Sequence, residues 1–316
     1  MDKLLLKQCI YYGSWLVWPL ALWALWQWRR RRGRWLAALL LAGCAVFAWA
    51  RFAEPNWIHV QRTTLTGTGA QARVALISDL HLGVYKGPQD LRRLVERINA
   101  LQVDAVLIAG DLTYEPAGSA LAPLFAPLSQ LRAPAFAVLG NHDQQKPGPD
   151  IDAELRTALA LHGVTVVEGR QVALKGFRLA GLGDRWAHRD DPSFLTALPP
   201  QGPLLVLAHN PDSAVALPPR RVSLVLSGHT HGGQIRIPWL YKRVIPSQYG
   251  FDRGEQRLQT PQGPVRVFTT AGTGEIGLPL RLFNPPTIDV LELRPLDRGI
   301  RARPARTGRS VRPGAA

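Results

Sequence analysis

Five short apolar runs in this chain each end in a cluster of Asp, Asn, His and Gly, and their spacing constrains the fold more than any other feature. Arg73–Ser78 runs into Asp79-Leu80-His81-Leu82-Gly83, Val103–Ala109 into Gly110-Asp111, and Ala135–Leu139 into Gly140-Asn141-His142-Asp143. Leu204–Ala208 then runs into His209-Asn210-Pro211, and Val222–Ser227 into Gly228-His229-Thr230-His231-Gly232-Gly233. Asp79 and Asp111 are 32 residues apart, Asp111 and Asn141 are 30 apart. That is one strand–helix–strand unit of roughly 30 residues each time, so successive clusters return to the same sheet edge. The carboxyl ends of strands are where open α/β sheets place their ligands.

The rest of the body fits this frame. Leu91, Leu94, Val95, Ile98 and Leu101 follow helical spacing behind Pro88 and Asp90, and residues 152–161 also read as helix. Further strands are expected at 164–167, 172–174, 178–182, 264–270 and 287–293, with one more at 57–65 inside a polar linker. Alternating strands and helices early and a strand-rich later part predict a layered α/β domain with two packed sheets. No internal repeat is visible.

Two Asp, one Asn and several His offer oxygen and imidazole donors, which suit divalent ions such as Mn, Fe, Zn or Mg. Asp79 and His81 are two apart, so an extended segment would point both to one side, and His229 and His231 are spaced likewise. A carboxylate between them, Asp111, can bridge two ions. Taken singly, Asp111 also reads as a helix cap and Asn141 as a turn residue. Asp184 and Asn210 read as turn formers, and His59, His162 and His188 as surface or satisfied core residues.

Charge narrows the function classes. Of the formal +15, +7 falls within residues 1–52 and +5 within 301–316, which leaves +3 for the 248 residues between. The body carries no basic groove of the kind that nucleic acid requires. Both cysteines, Cys9 and Cys44, precede the body, so disulfides and thiolate metal sites are excluded from it. The stretch 301–316, rich in Arg, Pro and Gly, reads as a disordered basic tail beginning near residue 296.

Seven of the ten tryptophans precede residue 50. Ile10–Trp28 is a 19-residue run without formal charge, about 28 Å long as a helix and so close to bilayer thickness. Arginines 29, 30, 31, 32 and 34 follow, then a second apolar run, Trp35–Ala50. The second run reads either as a short second span or as the core of an export signal with Ala48-Trp49-Ala50 as its cleavage site. Residues 1–52 are thus expected to be a membrane anchor, 53–72 a linker and 73–295 the main domain. Five arginines held on the cytoplasmic side place that domain on the outer face of the inner membrane, with the cytoplasmic face as the alternative.

Asp79-x-His81, Gly110-Asp111, Gly140-Asn141-His142-Asp143, His209 and Gly228-His229-x-His231 together resemble the motif set of the calcineurin-like metallophosphoesterases, in the family's order and with no ligand position missing. The apolar start, Ser78-Asp79-Leu80-His81-Leu82-Gly83, Gly228-His229-Thr230-His231-Gly232-Gly233-Gln234 and Gly277-Leu278-Pro279-Leu280-Arg281 resemble its membrane-associated YkuE/YaeI-type branch. The resemblance implies a four-layer α/β/β/α sandwich of two mixed sheets flanked by helices. It implies one metal on Asp79, His81, Asp111 and His231, and a second on Asp111, Asn141, His209 and His229. It implies P–O cleavage by a hydroxide bridging the two ions, without a covalent enzyme intermediate. His142 is then placed to protonate the leaving oxygen or steady the transition-state charge, and Asp143 to orient either His142 or its loop. The substrate expected is a phosphate ester, lipid- or nucleotide-linked. The alternatives are a UDP-2,3-diacylglucosamine pyrophosphate hydrolase of lipid A biosynthesis and a catalytically silent membrane scaffold.

Overall fold

A computed structural model describes residues 3–31, 33–116, 121–144, 150–199, 201–218, 221–260 and 263–296. The basic tail expected beyond residue 296 lies outside them.

Two six-stranded mixed sheets pack face to face. The first contains β1 (His59–Thr66), β2 (Ala72–Ile77), β4 (Ala105–Ala109), β6 (Ala135–Val138), β7 (Val164–Val166) and β14 (Thr287–Arg294), in the order β1-β14-β2-β4-β6-β7. The second contains β8 (Gln171–Leu174), β9 (Phe177–Gly181), β10 (Leu204–Leu207), β11 (Leu224–Ser227), β12 (Gly254–Thr260) and β13 (Gly263–Thr269), in the order β12-β13-β11-β10-β9-β8. A minimal pair, β3 (Leu82–Gly83) and β5 (Thr113–Tyr114), stands beside the clusters.

The layers follow from strand alternation. Val74 and Leu76 point into the seam with the second sheet, where they meet Leu205, Leu207, Leu224, Leu226 and Phe268. Ala75 and Ile77, on the opposite face of β2, pack under the helices α4 (Pro88–Asn99), α5 (Leu121–Phe125) and α6 (Asp152–Leu161). The outer face of the second sheet is covered by α7 (Ser193–Ala197) and a 3₁₀ turn at Pro211–Ala216. Helix α4 shows why its sequence folds so. Pro88 opens it, Asp90 accepts from the Gly87 amide at 2.9 Å, and Leu91, Leu94, Val95 and Ile98 form one buried stripe. Each such side chain contributes about 1.5–3 kcal/mol by leaving water.

β2, β4 and β6 run parallel, and so do β9, β10, β11 and β13. The carboxyl ends of both sets converge on one edge of the sandwich. Strand β12 was not foreseen. Its sequence, Gly-Glu-Gln-Arg-Leu-Gln-Thr, lies on an exposed edge and carries no apolar alternation.

Three helices precede the first sheet: α1 (Lys3–Gly13), α2 (Val17–Arg29) and α3 (Arg34–Ala48). A 3₁₀ turn at Ser14–Leu16 interrupts the first apolar run, whereas α3 continues through a π turn and a 3₁₀ turn to Asn56. Among the described residues, Arg34–Asn56 is the one helix long and apolar enough to cross a membrane by length and composition. The helical path thus outlasts Phe52, the boundary expected from composition. Glu54 is buried at its end, accepting from Trp49 Nε1 at 2.8 Å and from the Asn284 amide at 2.5 Å.

Candidate metal centre

Each donor sits two to four residues past the end of a strand, where the sheets' edges meet. Backbone hydrogen bonds tie the loops together: the Asp79 amide donates to Gly110 O at 2.9 Å, His81 to Asp111 O at 3.1 Å, and Gly228 to His209 O at 3.0 Å. The chain is not extended here, contrary to the two-apart argument from sequence. Asp79, His81, Asp111, His229 and His231 all have positive φ, between 46° and 70°. Non-glycine residues seldom occupy that region, and a cluster of them is the kind of strain that functional sites hold.

Glycines make the close approach possible. A Cβ on Gly140 would stand 2.1 Å from Asp111 Oδ1, and one on Gly228 would stand 2.4 Å from Ser78 Oγ and 2.7 Å from Asp79 Oδ2.

The seven expected ligands are brought together, all buried. Asp79, His81 and His231 form one cluster and Asp111, His209 and His229 another, with donor atoms within 4.8 Å in each. Asp111 Oδ2 lies between them, 3.6 Å from His81 Nε2 and 3.3 Å from His209 Nε2. Asn141 Oδ1 is 3.2 Å from His209 Nε2, on the second cluster. His142 lies beside both, its ring edge-on to His81 at 5.0 Å.

These residues fit a pair of cations. His81 Nδ1 faces the Thr113 carbonyl at 3.3 Å and His209 Nδ1 faces the Ala109 carbonyl at 2.8 Å. Each carbonyl accepts a hydrogen bond from the Nδ1–H, which turns Nε2 inward. The inward Nε2 atoms meet other ring nitrogens, His231 Nε2 at 3.0 Å and His229 Nδ1 at 3.1 Å. Burial pushes His81 and His229 down to about 3 and holds His231 well below the imidazole range, so all three are neutral donors at neutral pH. The carboxylates nearby demand positive charge. Against its own burial, His209 is driven up to about 10, chiefly by Asp111. Burial raises Asp79 to about 7, with Asp111 adding to it against the pull of His209. Asp111 itself is held well below the carboxylate range, because His209 and His142 outweigh its burial.

Asp143 serves the loop. Its carboxylate accepts from the Leu112, Thr113 and Gly140 amides at 2.9–3.0 Å and from Thr113 Oγ1 at 2.7 Å. Asn210 accepts from the Asp212 amide at 2.9 Å and Asp184 from the Ala187 amide at 2.9 Å, both as turn formers. His162 bonds the Ala122 carbonyl at 2.7 Å, and His59 and His188 are exposed.

Several supports were missed from sequence. Arg281 is fully buried, and its guanidinium donates to Ala271 O, Gly274 O and Asn284 O, while the Asn284 side chain donates to His231 O at 2.6 Å. Tyr114 packs its ring against His81 and His142, and Trp186 stands edge-on to His229 at 4.4 Å. The Gly277–Arg281 stretch was the one signal available, and it pointed at Arg281 without saying what it holds.

A cleft of about 530 Å³ opens over the clusters, with apolar walls from Trp186, Ile235, Leu240, Tyr241, Val244, Ile276 and Leu278. Tyr241 belongs to that wall, whereas Trp239 and Tyr249 are exposed outside the lining.

Residues 72–233 match the family model described as calcineurin-like phosphoesterase. The chain is 31% identical over 276 residues to the uncharacterized metallophosphoesterase YkuE of Bacillus subtilis, covering 82% of this chain and 93% of that one. It is 29% identical over 278 residues to the phosphodiesterase YaeI of Escherichia coli, covering 84% and 98%. It is 27% identical over 262 residues to the UDP-2,3-diacylglucosamine pyrophosphatase LpxG of Chlamydia trachomatis, covering 65% and 78%.

Proposed function

The chain belongs to the calcineurin-like phosphoesterase family, and on that premise we propose that it is a membrane-anchored phosphodiesterase. The observation that carries the reading is the pair of buried His–carboxylate clusters either side of Asp111 Oδ2, at the floor of an open cleft. Asp79, His81, Asp111 and His231 would hold one divalent ion, and Asp111, Asn141, His209 and His229 the other. Bound there, the two ions supply Lewis acidity, acidifying a water and drawing charge from the phosphoryl oxygens.

The chain's own residues do the rest. Carbonyl-anchored Nδ1 atoms fix the ring planes of His81 and His209. Burial, against the pull of Asp111, lowers the His142 pKa, so its imidazole is neutral at neutral pH and offers an N–H to the leaving oxygen or the developing charge. Trp186 and the apolar walls thin the water around the reacting group.

The anchor reading rests on Arg34–Asn56 and the arginines before it, which favour the outer face for the domain. A second reading, hydrolysis of a nucleotide-linked acyl-sugar pyrophosphate on the cytoplasmic face, is favoured by the LpxG relative and by the apolar cleft. A reporter fused after residue 316 separates the two, since activity confined to the cytoplasm favours the second and an exported reporter excludes it. Purified full-length chain is then assayed with Mn against monoesters, aryl diesters, nucleotides and phospholipids. Cleavage of diesters that stops on chelation is expected. A chain that holds two ions yet cleaves no aryl phosphodiester would instead be a scaffold.

A further inference from the structure

We infer that residues 237–244 form a lip that inserts into the surface of a phospholipid bilayer, so that the cleft over the metal centre opens toward the headgroups. The inference rests on the membrane-anchored reading and adds to it the direction in which the site faces.

Ile237, Trp239, Leu240 and Val244 are 41%, 86%, 51% and 67% exposed, although nothing in a soluble role asks for four large apolar side chains within eight residues. Trp239 has φ of 64°, a left-handed conformation that a bulky residue adopts rarely. Lys242 and Arg243 are exposed between these apolar residues, and neither makes an ion pair among the described residues. No acid occurs between His231 and Asp252. Trp and basic residues interleaved on an exposed turn match the composition of membrane–water interfaces, where the indole lies at headgroup depth and the cations meet phosphate.

The lip is positioned for this by its roots. Ile235 bridges Leu282, the Arg236 amide donates to Leu282 O at 2.9 Å, and the neighbouring Arg281 amide donates to Ala50 O at 2.9 Å. The loop therefore springs from a strip hydrogen-bonded to the end of the apolar helix, on the same side of the domain. Leu240, Tyr241 and Val244 continue into the cleft wall, so one turn joins the exposed tip to the site.

The test uses full-length chain with Cys9→Ser and Cys44→Ala, carrying single cysteines at Leu39→Cys, Trp239→Cys or Lys175→Cys. Each receives an environment-sensitive fluorophore and is reconstituted in nanodiscs of phosphatidylcholine and phosphatidylglycerol with or without bromine on the acyl chains. Leu39 is an exposed position of α3 and Lys175 an exposed position on a hairpin of the second sheet. Loss of emission in brominated discs at 39 and 239, but not at 175, is the expected result. Loss at 39 with full emission at 239 overturns the inference and leaves the anchor standing; full emission at 39 overturns both. Melting curves check each labelled chain, and Ile237→Cys replaces Trp239→Cys if the latter does not fold.

Discussion

The backbone amide of His142 donates to Asp111 Oδ1 at 3.0 Å, so the carboxylate set between the two clusters also fixes where the neighbouring imidazole stands. The two residues nevertheless do different jobs, and substitution separates them. His142→Ala is expected to keep both ions and to lose turnover by about 10²–10³-fold, the usual cost of removing a hydrogen-bond donor aimed at developing charge. Asp111→Asn is expected to lose metal as well as rate. Metal analysis of both variants beside kcat decides; a metal-free His142→Ala would remove His142 from its proposed role.

Gly140→Ala is a sharper probe of the loop than any change at a donor. The added methyl would lie 2.1 Å from Asp111 Oδ1 and 2.4 Å from the Asp111 amide, backbone that has nowhere to go. Loss of metal together with a lower Tm is expected. A variant with wild-type metal content would show that the loop yields.

Arg281→Met should destabilise the chain without touching a ligand. It strands the carbonyls of Ala271, Gly274 and Asn284 and removes the nearer of the two cations beside buried Glu275, leaving Lys86 at 3.5 Å. Each buried polar group left without its partner costs about 1–3 kcal/mol. Denaturant unfolding measures it, and a loss below about 1 kcal/mol would mean the network is dispensable.

Asp289 gives a pH dependence free of the metal site. Burial raises its carboxyl to about 7, against the Thr270 hydrogen bond and the charge of Arg253. The folded chain therefore binds a proton that the unfolded chain releases near pH 4, and this contribution to stability, full below that pH, fades as pH rises through about 7. Asp289→Asn should melt with the wild type at pH 4 and above it at pH 8. Identical Tm profiles across that range would refute the assignment.

Chelation is expected to lower Tm, because ions bound to the native state alone stabilise it by about 2.7 kcal/mol at a hundredfold excess over Kd. Calorimetry with and without chelator reads the change, and an unchanged Tm would argue against tightly held ions.

Most of the sandwich was legible because its central strands are buried on both faces and so read as unbroken apolar runs ending in polar donors. Strand β12 was not, since an edge strand with polar side chains on both faces resembles a loop. The donors were legible as types and in order. Their left-handed backbone was not, because Asp and His enter that region more often than most residues but still at only a small minority of positions. The Glu54–Asn284–His231 link was invisible for another reason. It joins residues 230 positions apart through a buried carboxylate, and a lone Glu beside an apolar run reads as the end of a span.

Five donors in the left-handed region have a kinetic consequence. The backbone strain is absorbed while the chain folds, so an arriving ion meets a cradle already in shape and needs little rearrangement. Which ion stays is then decided by how well its preferred coordination matches that fixed set of oxygen and imidazole donors, not by how far the chain can bend toward it.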